Sequence, residues 1–447
     1  KEISGRIFGK ISQVVAKYDG FIEKYVGDAV MALFGVPKSQ EDDPVRAIKA
    51  AREIHALVTT LSPEYQPRIG QSLTMHTGIN TGLVVTGEID LERGTHGVSG
   101  DTINLAARLS GLAQSNEIVV ASDTCRLVEG YFVLEEMEPT KIKGKKELVR
   151  AYKVISSKAV PRKVHRLHGL RADLIGRKTE MDQLEEAVEQ LRQGKGGIVS
   201  ICGDAGTGKS RLVEEFKSTL DLEEIRWREG HAYAYSQNSP YATVIDLLNR
   251  AFQIEEGDSP ERLKEKVEYG IESLVSNKED IAPYIGSLFS LSYPEVEDVS
   301  PEFWKVRLQE GMNTILVALA QGAPTLICLE DLHWADPSSV DLIRFVLAKF
   351  RHPALFVCVY RPTFSLFSSQ QLATIGESYS EIRLQDLSPS ETQDMAASLL
   401  KSEAIPVELR RFIQKKIGGN PFYMEEALNS LVEAETLVLE NEGWKLT

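Results

Sequence analysis

The stretch GDAGTGKS, Gly203–Ser210, decides the fold of the larger part of this chain. It has the form GxxxxGK[ST], in which glycines let backbone N–H groups turn toward phosphate and a lysine and a hydroxyl follow at fixed places. The apolar run GIVSIC leads in and the helical run SRLVEEF leads out, so the setting is strand, loop, helix. That setting brings loop amides and the partial positive charge of a helix N-terminus onto one anion. Gly203, Asp204, Ala205, Gly206, Thr207 and Gly208 are read as a phosphate cradle. Lys209 is read as the residue that reaches the β- and γ-phosphates, and Ser210 as a magnesium ligand. The competing reading is a glycine turn between a strand and a helix.

A loop of this kind works with an acidic group at the end of a neighbouring strand. TLICLED supplies Glu330 and Asp331 after an apolar run. Glu330 is read as the magnesium-side carboxylate and Asp331 as the group that orients the attacking water. The short apolar runs GIVSIC, IRWREGH, TLICLE and ALFVCVY alternate with helical stretches, the pattern of a parallel sheet with crossovers.

Residues 1–156 read differently. FIEKYV and AVMALF are joined by Gly27-Asp28, a hairpin signal. Residues 43–59 predict a helix with Pro44 in its first turn. SLTMHTGINTG and LVVTGEI predict strands, residues 101–113 a helix with Asp101 at its start, and EIVVA a strand. Hairpins mixed with helices predict an α+β domain rather than a doubly wound sheet. Residues 157–172 are basic and aperiodic, a linker. Residues 173–370 are then the P-loop domain, and 371–447 a helical lid with the start of a C-terminal region.

Composition narrows the function. The net charge is −14, which argues against a general nucleic-acid binder, because phosphate backbones select basic surfaces. No basic helix-turn-helix is visible, so a transcription regulator is disfavoured. The four cysteines are scattered without zinc-ligand spacing. Cys202, Cys328 and Cys358 lie in apolar runs and read as buried, reduced thiols, which fits a cytoplasmic protein. No apolar run approaches the ~18–20 residues of a membrane span, so no integral membrane segment is expected.

LIGRKTEMDQL, GDAGTGKS, SPYATVIDLL, LICLEDLHWADPSSVDLI, VYRP and GGNPFYMEEAL together resemble the STAND and AAA-type signalling ATPases. The resemblance implies that Arg361 holds a first sensor position and that Pro421, in the lid, lies near the adenine. His333 and Trp334 are read as packing residues beside the acidic strand. Such ATPases act as switches whose ATP and ADP states hold the lid differently.

KYVGDAVMALFG, GVSGDTINLAARLSGLA and KIKGKKELVRAY resemble the class III adenylyl/guanylyl cyclase catalytic domain. The resemblance implies a ferredoxin-like α+β fold. It also implies that Asp28 is a metal carboxylate, Lys24 reads the adenine ring, Asn104 orients the ribose and Arg108 stabilises the transition state. Lys143 and Lys145 are candidates for the triphosphate tail. The family's site forms between two such domains, which implies a homodimer using Mg²⁺ or Mn²⁺. Two departures stand out. The family's first metal aspartate falls on a strand upstream of Lys1, so this chain by itself is not expected to cyclise ATP. Gly97 stands where the family places a base-reading side chain, leaving adenine selection to Lys24 with Thr95 or His96. The expected function is an adenylate cyclase with ATP both as substrate and as ligand of a regulatory ATPase. The alternatives are a guanylate cyclase, or a STAND-type sensor with an inactive cyclase-like dimerisation domain.

Overall fold

The computed structural model of the chain describes residues 2–36, 39–40, 42–82, 84, 100–141, 148–158, 172–233, 236–237, 239–255, 258–402, 405–433, 436–440 and 443–446. The chain divides into two compact units, residues 1–169 with 429–434 and residues 170–428 with 435–447.

The first unit runs α1 (Glu2–Lys17), β1 (Phe21–Val26), β2 (Ala29–Leu33), α2 (Asp43–Ile69), β3 (Thr77–Ile79), α3 (Asp101–Leu112), β4 (Ile118–Ala121), α4 (Ser122–Val128), β5 (Phe132–Glu136), β6 (Thr140–Lys141), β7 (Leu148–Val149) and β8 (Ala151–Ser157). Strands β3-β4-β8-β5 form a sheet in that order, with β3 parallel to β4 and the other pairs antiparallel. Strand β4 is buried on both faces, because successive side chains alternate across a strand. Ile118 and Val120 pack with Val45, Ile48 and Ala51 of α2. Val119 and Ala121 pack with Leu109 of α3. Helix α2 runs to Ile69, beyond the expected end at residue 59, because Val58, Leu61 and Tyr65 continue its buried stripe. It stops at Gly70, whose φ of 81° closes a left-handed cap. The expected strand LVVTGEI lies largely outside the described residues.

The start of α2 is fixed by Arg46, which is 1% exposed. Its guanidinium donates to Tyr18 O at 2.7 Å and to Asp42 Oδ1 at 3.2 Å, and it pairs with Asp43. A charge this deeply buried persists only with its donors satisfied.

The second unit begins with α5 (Lys178–Arg192), β9 (Gly197–Gly203), α6 (Lys209–Thr219), β10 (Arg226–His231) and α7 (Ala242–Ala251). A helical insert follows, α8 (Pro260–Glu272), α9 (Lys278–Ser287), α10 (Pro294–Glu297) and α11 (Pro301–Ala320). Then come β11 (Thr325–Glu330), α12 (Pro337–Lys349), β12 (Leu355–Tyr360), α13 (Ser369–Ile375) and β13 (Tyr379–Leu384). The end comprises α14 (Pro389–Leu400), α15 (Val407–Phe412), a π-turn Ile413–Ile417, α16 (Pro421–Glu433), which belongs to this unit as far as Leu428, and the hairpin β14 (Leu437–Glu440) and β15 (Gly443–Leu446).

All five large strands pair in parallel, in the order β10-β11-β12-β9-β13. Strands β11 and β12 are buried throughout, which is why their sequences read as continuous apolar runs rather than alternations. Strand β13 is not among the strands expected from the sequence. It lies on the far side of β9, and its burial pattern mixes exposed Ser380, Glu381 and Arg383 with buried Ile382 and Leu384. An edge strand half open to solvent carries a weaker apolar signal than a central one. It falls beyond residue 370, within the stretch read as helical lid.

Cys202, Cys328 and Cys358 are buried free thiols, and Cys125 is partly buried. Among the described residues no helix is long and apolar enough to cross a membrane.

Candidate functional site

Strand β9 delivers the loop Asp204–Gly208 at the carboxyl edge of the parallel sheet, where ligands of open α/β sheets bind. Lys209 opens α6 and is 7% exposed. Its ammonium donates to Gly203 O at 2.8 Å and Asp204 O at 2.7 Å, so it spans the mouth of the loop. Ser210 follows in the first turn of α6. Thr207 ties the loop to itself, its hydroxyl donating to Asp204 O at 2.9 Å.

Strand β12 lies between β9 and β11. At ~4.8 Å per strand, the acidic strand is therefore about 10 Å from the loop strand at this edge. Glu330 ends β11 and is 8% exposed. Asp331 follows in a left-handed conformation, φ 58°, and starts the turn Leu332–Trp334. Arg361 comes one residue after Tyr360, whose register partner is Cys202, so it flanks the entry to the loop. Its guanidinium lies 5.5 Å from the centre of the Trp334 ring. Trp334 thus packs against Arg361 beside the acidic strand. Ser210 and Glu330 offer hydroxyl and carboxylate oxygens at one sheet edge, the hard donors that suit Mg²⁺. Ser210 and Glu330 would hold such an ion, which would supply positive charge against the phosphates.

Behind Glu330 stands a polar cluster with no counterpart in the motif reading. His231 Nδ1 is 3.8 Å from Glu330 Oε1, and His231 Nε2 is 4.0 Å from Glu229 Oε1. Glu229 accepts from Lys217 Nζ at 2.7 Å, Trp227 Nε1 at 2.6 Å and Arg250 Nη1 at 3.0 Å. Burial alone would push the Glu229 carboxyl up, but His231 and Lys217 outweigh it and hold the group well below the usual carboxylate range.

The lid meets the loop directly. Asn420, 7% exposed, donates through Nδ2 to Ala205 O at 2.9 Å, and Phe422 N donates to Gly206 O at 3.2 Å. Pro421, between them, opens α16. Gly419 packs so closely that a Cβ there would lie 2.2 Å from Leu387 O. On the other side Arg177 donates through Nη2 to Thr207 O at 3.1 Å and to Gln385 O at 2.5 Å. Arg177 and Asn420 were not expected as site residues. Both sit in phrases already singled out, LIGRKTEMDQL and GGNPFYMEEAL, but only the fold shows what they touch.

In the first unit, β1 and β2 form a two-stranded hairpin closed by Gly27-Asp28. The register slips at Glu23, a bulge immediately before Lys24 of the kind that re-aims a side chain. Lys24 and Asp28 are exposed. On α3, Asn104 is exposed and Arg108, one turn on, is half-buried beside the buried Leu109. Lys24 and Asp28 lie on one hairpin, Lys24 opposite Met31 and Asp28 in the turn, and Asn104 and Arg108 lie one turn apart on α3. Lys143, Lys145, Thr95, His96 and Gly97 lie outside the described residues. Asp28 is one carboxylate, whereas a two-ion centre takes more. Among the described residues no group of three His, Cys, Asp or Glu side chains could hold a metal ion.

Comparison with known proteins bears on both units. Residues 5–156 match the adenylate and guanylate cyclase catalytic domain, and residues 173–358 match the AAA ATPase domain. The chain therefore joins a class III nucleotide cyclase-family domain to an AAA-family P-loop domain. It is similar over 96% of its length to an uncharacterised protein of Rhizobium meliloti, at 23% identity, and covers 42% of that protein. Adenylate cyclase 2 of the same organism is 26% identical over 149 residues, 32% of this chain and 40% of the relative. The solved structure of the guanylyl cyclase Cya2 is 30% identical, covering 34% of this chain and 77% of that one, with a TM-score of 0.32. The chain spans less than half the length of these two curated relatives.

Proposed function

We propose that this chain is the catalytic and regulatory part of an adenylate cyclase. It would convert ATP to cyclic AMP and pyrophosphate, under the control of a STAND-type ATP-binding module. The observation that carries the reading is that two pairs with complementary chemistry stand accessible on one cyclase-family domain. Lys24 and Asp28 lie on a hairpin, and Asn104 and Arg108 on one face of α3. In the reaction the ribose 3′-hydroxyl loses its proton to solvent and its oxygen attacks the α-phosphate; that P–O bond forms and the bond to pyrophosphate breaks. Lys24 would select the adenine edge and Asn104 hold the ribose. Arg108 would oppose the charge that builds on the phosphoryl oxygens. Asp28 would supply one carboxylate toward a divalent cation, Mg²⁺ or Mn²⁺, whose chemistry would be charge neutralisation at the phosphates.

Neither pair completes a site alone, so a homodimer that sets the hairpin of one copy against α3 of the other fits the reading. In the second unit, ATP in the Gly203–Ser210 loop would act as the regulatory ligand, with Arg361 reporting the γ-phosphate. Free thiols and an ATP substrate fit a cytoplasmic setting. The test is cyclic nucleotide formation from ATP and from GTP by the full-length protein. Arg108→Ala should lower the rate by about 10²–10³. A rate unchanged in Arg108→Ala sinks the assignment, and equal turnover of GTP makes the enzyme a guanylate cyclase instead.

A further inference from the structure

Every carbonyl of the phosphate loop from Gly203 to Thr207 accepts a hydrogen bond. Lys209 takes those of Gly203 and Asp204. The next three are taken from outside the loop, Ala205 O by the Asn420 side chain, Gly206 O by the Phe422 amide and Thr207 O by Arg177. A trans peptide is a rigid plane in which the C=O and the following N–H point opposite ways. Holding the carbonyls of Ala205 and Thr207 therefore aims the N–H groups of Gly206 and Gly208 to the other side, where a loop of this type meets phosphate. The Thr207 amide, in the plane held by Phe422, lies 3.4 Å from Asp204 O.

Gly206 carries the contact. Its φ is 79°, and a Cβ there would stand 2.3 Å from Asn420 Oδ1 and 3.0 Å from Phe422 Cβ. The lid backbone can approach the loop only because this residue has no side chain. Asn420 is fixed in turn. Its Oδ1 accepts from Tyr423 N at 3.4 Å, and Leu387 N donates to the neighbouring Gly419 O at 2.8 Å.

We propose that Asn420 is a positioning residue for the phosphate chain: with Arg177 it orients the loop amides, so the lid is coupled to phosphate occupancy through the backbone of Ala205–Thr207. This rests on the reading of Gly203–Ser210 as a nucleoside triphosphate site. Coupling is reciprocal, so phosphate in the loop favours the docked lid by the same factor that the docked lid favours phosphate.

The experiment measures dissociation constants of a fluorescent N-methylanthraniloyl ATP, with ADP and AMP by competition, for the full chain and its variants. Asn420→Ala should weaken ATP and ADP by roughly tenfold, the scale of one hydrogen bond, and AMP by less than about twofold. Arg177→Met should lower the ATP-to-AMP preference similarly, and Arg177→Lys, which keeps a donor, should restore most of it. Asn420→Ser keeps a hydroxyl oxygen to cap Tyr423 N, loses the amide donor to Ala205 O and Asp386 Oδ1, and adds no charge. It carries the test if Asn420→Ala does not fold. Equal weakening of all three nucleotides, or no weakening, overturns the proposal. A Lys209→Ala variant separates the two levels. If it still binds ATP normally, the triphosphate reading itself fails. If it loses ATP while Asn420→Ala and Asn420→Ser keep the wild-type preference, only the role of Asn420 fails.

Discussion

Arg361, at the end of β12, stacks over Trp334, in the turn that follows the acidic strand, with 5.5 Å between guanidinium and ring centre. The contact links the candidate γ-phosphate sensor to the segment that carries Glu330 and Asp331. A partly solvated cation–π contact contributes about 0.5–2 kcal/mol, little enough for a phosphate charge to displace it.

Nucleotide binding should therefore be visible in Trp334 fluorescence. The wild-type protein minus Trp334→Phe isolates its signal from the other tryptophans. ATP should change that difference more than ADP does, and Arg361→Met should abolish the distinction. An identical nucleotide response in wild type and Trp334→Phe would count against a moving Arg361.

The Glu229 cluster gives a pH dependence with a definite sign. The carboxyl is held below its unfolded value of about 4.3. Its contribution to stability is thus present above pH ~4.3 and is lost as pH falls toward the native value. Glu229→Gln leaves Lys217 and Arg250 facing a neutral group and should cost about 3 kcal/mol at neutral pH. Denaturant unfolding should show the wild type losing stability below pH ~4–5 more steeply than the variant. Parallel profiles would remove Glu229 from the account.

Arg46 plays the corresponding structural part in the first unit. Arg46→Met keeps the bulk but leaves Asp43 with only Ser39 Oγ and Gln40 N as donors among the described residues and removes the Arg46 donor from the Tyr18 carbonyl. The loss should be about 3–5 kcal/mol, read as a lowered denaturant midpoint for that unit. A shift within about 0.5 kcal/mol would mean the buried charge is relieved by water.

What could be read in advance was local. The phosphate loop, the acidic strand end and the Gly27-Asp28 hairpin each place their key residues within a few positions of one another. The elements that escaped depend on distant partners. Asn420 is 215 residues from Ala205, and Arg177 is 208 from Gln385. No spacing rule reaches so far, although both residues lie inside conspicuous phrases. Strand β13 hid for a different reason: its outer edge is polar because it closes the sheet. Helix α2 runs past its expected end at residue 59 because Val58, Leu61 and Tyr65 carry the apolar stripe past Pro63.

If the cyclase site is shared between copies, two dead variants should complement. Mixing Asp28→Ala with Arg108→Ala should leave one intact composite site in each mixed dimer and restore about a quarter of wild-type activity at random pairing. No recovery on mixing, with mixed dimers demonstrated, would place all four residues in one chain's site.

The proposed function assigns cyclic AMP formation by the full-length protein to residues on the hairpin and α3, governed by the phosphate loop. Its most direct test is cyclic AMP production by full-length protein with ATP and Mg²⁺ or Mn²⁺, comparing wild type, Asp28→Ala and Lys209→Ala. The account predicts activity in the wild type, loss of about 10²-fold or more in Asp28→Ala, and altered regulation with the chemistry retained in Lys209→Ala. Undiminished cyclic AMP output from Asp28→Ala would contradict it.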